Sequence, residues 1–271
     1  MVRTLIKHEA LRTTPGLGAA FGIATLIVLF SGIIAHVNLS VVSQIFAIAG
    51  IMVLSGLPVA VQLFLAVDFW RTSWGKSGYL THSLPVKGST ILTVRLLWAF
   101  VVQVALCLWL LLGLLLFLYL ANPVFKGDGP GFTEAFPQLL QQVSEAVPWW
   151  LWVLGVAAVL FLMWFSQAIY YFAATIGNGP RLASLGIAGP VVAWVVTNMV
   201  LQVVVLPAMF LPVGIVATDG RLHFASVNMV EALVNQANNL MPVGFFLPIA
   251  VVAVLLVPWM AHSWNHRISL R

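Results

Sequence analysis

The stretch DFWRTSWGKSGYLTHSLPVKGSTILTVR, Asp68 to Arg95, is a long basic interval with two apolar runs before it and four after it. It carries Arg71, Lys76, Lys87 and Arg95 against a single acid, Asp68. The runs that flank it are about 20 residues or longer and do not alternate apolar with polar, which is the pattern of spanning helices rather than barrel strands. The chain of 271 residues is 62% apolar and 7% charged. No water-soluble fold could bury that much apolar surface, and in lipid only helices or a closed barrel satisfy the backbone. The reading is an all-α integral membrane protein, one transmembrane domain over residues 1–271 with six spans.

Charge sets the orientation. With both termini cytoplasmic, the inner side holds Arg3, Lys7, Arg12, Arg71, Lys76, Lys87, Arg95, Arg181, Arg267 and Arg271, ten of the twelve basic residues. Only Lys126 and Arg221 fall outside, as the positive-inside bias requires. Acids show the reverse, with Glu9 and Asp68 inside and the other five outside. The basic residues are spread singly and form no face with aromatics, so no nucleic-acid partner is expected. Membrane lipid is.

Working outward from the central interval, residues 1–16 read as a short amphipathic helix lying on the cytoplasmic surface, broken by Pro15-Gly16. No cleavable leader is expected, since the polar start is long and the next run exceeds an h-region. The first two spans cover about Leu17–Val37 and Val41–Val67, joined by a turn at His36–Ser40. The third runs from Leu96 to Ala121. An outer helix should follow, with Phe132, Phe136, Leu139, Leu140, Val143 and Val147 on one face and Thr133 as its cap. The fourth span opens on Pro148-Trp149-Trp150-Leu151-Trp152, where indoles suit the headgroup level. The fifth, about Leu185–Pro212, contains Pro190, Pro207 and Pro212 and is expected to kink or break. A second outer amphipathic helix is expected over Val227–Met241. The sixth span, about Pro242–Ala261, should end at an interfacial Trp259 and Trp264.

Motifs for chemistry in this chain are absent. Trp74-Gly75-Lys76-Ser77 mimics the end of a phosphate loop, but the position five before Gly75 is Trp70 where a glycine is needed. His8, His36, His82, His223, His262 and His266 are scattered, and the lone Cys107 sits within a span, so neither metal set nor disulfide is expected. No span holds a confidently placed ionisable group of the kind ion-coupled pumps keep. The polar remainder in or beside the spans, Gln62, Gln103, Gln167, Asn178, Asn198 and Gln202, fits interhelical hydrogen bonding or contact with a cargo. In the central interval, Trp70, Trp74 and Tyr79 beside Arg71 and Lys76 fit a protein-binding hot spot or headgroup anchoring equally well.

Gly78-Tyr79-Leu80, Ser83-Leu84-Pro85-Val86, Ile91-Leu92 and Arg95 resemble the loop after the second span in bacterial ABC-type exporter permeases. Those permeases have six spans and a separate ATPase subunit. The helix at the N-terminus, the long second-to-third loop and the outer helices resemble that family in layout, and Arg95 stands where its members often have lysine. The resemblance implies a homodimer, or pairing with a paralogue, in a bacterial cytoplasmic (inner) membrane. It further implies two copies of a soluble P-loop ATPase that bind ATP and magnesium, with no cofactor and no catalytic residue in this chain. A coupling surface of Trp70, Arg71, Trp74, Lys76, Tyr79, Leu80, Leu84 and Pro85, with Arg181 as a second contact, would receive that partner. Gln62, Gln103, Gln167, Asn198 and Gln202 would be candidates for the path of an amphipathic or lipophilic drug, peptide or lipid. The alternative is a stand-alone facilitator, or an immunity or assembly protein, without an ATPase.

Overall fold

The computed structural model describes residues 2–75, 78, 86–126, 129–179, 182–218, 221–235 and 240–266. Six of its helices are long and apolar enough to cross a membrane, so the protein is a multi-pass, essentially all-α membrane protein. The chain forms two compact units, Met1–Asp68 with Val94–Gln142, and Phe69–Thr93 with Val143–Arg271.

The first unit is built on α1 (Val2–Val37), α2 (Ser40–Ser73) and α3 (Gly88–Leu120). The break expected at Pro15-Gly16 does not occur, because α1 runs through it for 36 residues. Pro15 cannot serve the Leu11 carbonyl, yet the helix continues, and the neighbouring Thr13 and Thr14 hydroxyls donate to the carbonyls of Glu9 and Ala10 at 2.9 and 2.6 Å. Asn38 makes the α1–α2 turn at φ 57°, and buried Ser43 seals it by accepting from the Leu39 N–H and donating to Ile34 O.

Contacts fix the helix directions. Glu9 meets Arg95, Thr13 meets Trp98, Thr25 meets Trp109 and His36 meets Leu120, with separations of 86, 85, 84 and 84 residues. A near-constant offset means α1 and α3 run parallel, side by side for most of their length. Arg12 meets Asp68 while Phe30 meets Phe46, so α2 runs antiparallel to α1. Small residues let the three approach: Gly16 lies under the Phe64 ring and Gly50 under Phe117. The core gathers Val28, Ala35, Ala47, Leu54, Phe117 and Ala121. After α3 come the short α4 (Asn122–Phe125) and the amphipathic α5 (Phe132–Ala146). The Phe132 N–H is capped by Asn122 Oδ1 at 2.6 Å, ahead of the expected Thr133.

The α1–α3 seam repeats one device. Trp98 Nε1 donates to Thr13 Oγ1 at 2.8 Å and Trp109 Nε1 to Thr25 Oγ1 at 2.9 Å. Each hydroxyl passes its own proton to the carbonyl four residues back, Glu9 or Phe21. The indole and hydroxyl thus pair without a leftover donor, as lipid demands. Thr25→Val is expected to lower stability by about 0.6–2 kcal/mol, because it strands the Trp109 N–H, while Thr25→Ser stays near wild type. Thermal unfolding in detergent separates the two; equal Tm values would remove the seam from the account.

The second unit packs α6 (Trp149–Gly177) against α7 (Ala188–Ala208) and α9 (Phe246–His266). Tyr170 stacks on Trp194 at 5.8 Å, and Phe172 meets the Trp259 ring edge at 5.4 Å. Gly177 and Gly189 let the end of α6 cross the start of α7 backbone to backbone; a Cβ on Gly177 would collide with Pro190 N. A 3-10 turn, Ala183–Leu185, precedes that crossing. The fifth span is not broken, since α7 is continuous over Ala188–Ala208: Pro190 sits in its first turn, where a missing N–H costs least, Pro207 lies in its last turn, and Pro212 lies beyond it. The segment after α7 forms a three-stranded antiparallel sheet that was not expected, β1 (Gly214–Thr218), β2 (Arg221–Ala225) and β3 (Leu240–Pro242), in the order β2-β1-β3. Of the second amphipathic helix expected over Val227–Met241, Met229–Val234 is helical, as α8, among the described residues, and its C-terminal end runs into β3.

Candidate functional site

The interval that opened the sequence is shorter as a loop than expected. α2 continues to Ser73 and α3 starts at Gly88, so Asp68, Trp70 and Arg71 are helical, as is Arg95. The helices thus extend past the apolar spans at both ends of the interval and carry these charged residues beyond them.

In the second unit the loop root is an aromatic cluster. Phe69, 1% exposed, stacks on Tyr171 with centroids 4.1 Å apart and planes 12° apart. Trp74 and Trp264 close around it at 5.5 and 5.7 Å from Phe69 and 5.4 Å from each other. Trp264 is 3% exposed, and its indole N–H donates to Thr175 Oγ1, which bonds back to Tyr171 O. The interfacial role expected of Trp264 is therefore corrected, because α9 carries it into the unit rather than out to headgroups. Trp70 Nε1 donates to Asn178 Oδ1 at 3.3 Å. At the other end of the loop, Asn265 Oδ1 accepts the Ser89 N–H at 3.0 Å, and Gly88 lies so close to the Trp264 carbonyl that a Cβ would stand 2.6 Å from it. Both ends of the loop are thus mounted on α6 and α9.

In the first unit, four charges from three helices form a chain. Arg95 Nε donates to Glu9 Oε1 at 3.0 Å, Glu9 Oε2 also accepts from Arg12, and Arg12 Nη2 reaches Asp68 Oδ2 at 2.6 Å. Arg95 is the deep member, with its side chain 3% exposed, whereas Asp68 and Arg12 are at 22% and 36%. Sequence reasoning placed Asp68 and Arg95 at the two ends of one loop and Glu9 and Arg12 in the amphipathic N-terminal helix. The signal that could have joined them was the presence of Asp68 and Arg95 within one helical turn of apolar runs, where an unpaired charge is costly.

The expected coupling residues divide. Arg71 is exposed, whereas Trp70 and Trp74 are half-buried in the contacts above. Lys76, Tyr79, Leu80, Leu84, Pro85 and Arg181 lie outside the described residues. Of the candidate path residues, Gln103 in the first unit and Gln167 in the second are fully buried, and neither amide has a hydrogen-bond partner among the described residues. Gln62 is half-buried and engaged in a contact of its own. Asn198 turns its amide back onto Trp194 O at 2.9 Å, and Gln202 is exposed on α7. Among the described residues no group of His, Cys, Asp and Glu is placed to hold a metal ion. No family model, no curated protein and no solved structure matches the chain.

Proposed function

We propose that this chain is the membrane-embedded permease subunit of an ATP-driven exporter, with ATP hydrolysed on magnesium in a separate soluble P-loop subunit. The observation that carries the reading is the mounting of the 74–87 loop. α2 and α3 are 34 and 33 residues long, each about 50 Å, when about 20 residues cross the hydrocarbon. A mere connector needs neither that length nor an aromatic socket at one root and a side-chain cap at the other. A loop that receives a push from a partner needs both. The basic charge of the interval and its resemblance to the corresponding permease loop support the same direction.

In this reading the termini are cytoplasmic and the membrane is a bacterial inner membrane. Two copies of the chain, or one with a paralogue, enclose the path, and two ATPase subunits dock below. The cargo is amphipathic or lipophilic. Arg71→Glu is the informative variant, since Arg71 is exposed and its replacement spares the aromatic socket. Tagged chain purified in mild detergent from its native host should bring down a P-loop ATPase in near-equal amount. Arg71→Glu should cut that recovery at least about fivefold, roughly 1 kcal/mol. Recovery of wild-type chain with no ATPase, from native lipid as well as detergent, would replace this reading with the stand-alone partner-binding protein.

A further inference from the structure

The helix α5 is sharply two-faced, yet none of its residues is buried. Phe132, Phe136, Leu139, Leu140 and Val143 fall on one side of it, and Glu134, Gln138, Gln141 and Glu145 on the other. The apolar side is only partly covered: Phe132, Phe136 and Val143 are half-buried, whereas Leu139 and Leu140 are 55% and 48% exposed. Pro137 has no N–H for the Thr133 carbonyl, and both residues are exposed toward the polar side. Water can serve that carbonyl there, as hydrocarbon on the opposite side could not. Both ends of α5 are set where spans leave the hydrocarbon. α3 ends at Leu120, and Asn122, two residues on, accepts the Phe132 N–H at 2.6 Å. Gly131 lies against the same side chain, where a Cβ would stand 3.1 Å from Asn122 Nδ2. At the other end only Val147 and Pro148 separate α5 from α6, whose Trp149 and Trp152 are exposed in the manner of a headgroup belt. A helix of 15 residues, about 22 Å long, with both ends at that level lies along the membrane surface and not across it.

We infer that α5 is a lipid-binding interfacial helix, with its Leu139–Leu140 side sunk to the boundary of acyl chains and headgroups and its Glu134–Gln138 side in water. Lipid is the occupant because this side continues, past the end of α3 and into the exposed Trp149, the surface that the spans already present to the bilayer. Charge decides what kind of contact it makes. Residues 132–146 carry Glu134 and Glu145 and neither lysine nor arginine, so burial of apolar surface holds the helix, without attraction to anionic headgroups. The ties at both ends keep α5 beside the bilayer at high effective concentration, so a face of this size is enough. His36 bonds the Leu120 carbonyl, which puts the start of α5 at the same end of the first unit as the α1–α2 turn. The placement needs no ATPase; only its assignment to the outer leaflet rests on the exporter orientation.

The test uses the full chain in phosphatidylcholine vesicles. Glu134→Cys, Gln138→Cys, Leu139→Cys and Leu140→Cys, all at exposed positions, are made singly in a Cys107→Ser background and spin-labelled. Leu112→Cys, exposed on α3, supplies the hydrocarbon reference. Collision with oxygen, which concentrates in lipid, and with a nickel chelate, which stays in water, reads the depth of each label. The oxygen-to-nickel ratio should be severalfold higher at positions 139 and 140 than at 134 and 138, and should approach that at 112. The same pattern should hold in vesicles enriched in phosphatidylglycerol. Equal ratios at the four α5 positions would put both sides in water and overturn the inference. So would labels at 139 and 140 that are immobile and shielded from both reagents, because protein, a second copy of the chain included, would then cover the face. A pattern that appears only with phosphatidylglycerol would overturn the apolar basis of the binding. None of these outcomes involves an ATPase, so recovery of the partner subunit judges the exporter reading separately.

Discussion

Glu9→Gln is expected to be among the most damaging conservative substitutions in the chain, lowering stability by about 3–5 kcal/mol. The carboxylate is the counter-charge of Arg95, whose side chain is 3% exposed, and it also holds Arg12. Removing it leaves a guanidinium buried beside an amide, and arginine has no neutral form to retreat to. Arg95→Met should cost less, since it removes the buried charge together with its need, fills a similar volume, and leaves Glu9 paired with Arg12. The two changes should therefore be non-additive, with Glu9→Gln/Arg95→Met close to Arg95→Met alone. Thermal unfolding of the four proteins in one detergent gives the order directly. A Glu9→Gln protein as stable as Arg95→Met would mean that Arg95 draws its compensation elsewhere.

Phe69→Ala is the second large effect, about 3–5 kcal/mol. The ring is 1% exposed and is the member that Tyr171, Trp74 and Trp264 all touch. Its loss opens a cavity bounded by two rigid indoles and a phenol, which cannot collapse without breaking the Trp264–Thr175 bond. Phe69→Leu keeps most of the volume and should cost less than half as much. The loop supplies a second readout, since its root depends on this socket. Trypsin should cut at Lys76 or Lys87 several-fold faster in Phe69→Ala than in wild type, with Phe69→Leu between them. Unchanged cleavage with a lowered Tm would separate the socket from the loop and weaken the mounting argument.

The spans were legible because lipid imposes a length and a composition that few other structures share. Helix ends were not. The windows stop at the first charges, Asp68 and Arg95, yet backbone hydrogen bonding continues past them to Ser73 and from Gly88, because those charges find partners on other helices. Pro15 looked like a break because a missing N–H is visible in sequence, yet one missing bond does not end a helix of 36 residues. Trp264 looked interfacial because indoles at span ends usually are; what decides its place is Thr175, 89 residues away. The β1–β2 hairpin had a signal that went unused, Asp219-Gly220 between two runs rich in β-branched and aromatic residues. Of the candidate site, the exposed Arg71 was legible as a surface cation, but the charge chain was not, since it is assembled from three helices.

The parallel α1–α3 seam also constrains how the protein is made. Thr13 and Thr25 take their indole donors from residues 85 and 84 positions later in the chain. At about 5–20 residues per second, roughly 4–17 s of synthesis separate a threonine from its tryptophan. During that interval the first helix is already in the membrane with an acidic Glu9 and no Arg95 to meet it. Until the third helix arrives, that charge has Arg12 of its own helix as its partner. The first helix to enter is thus the one whose final seat is settled late.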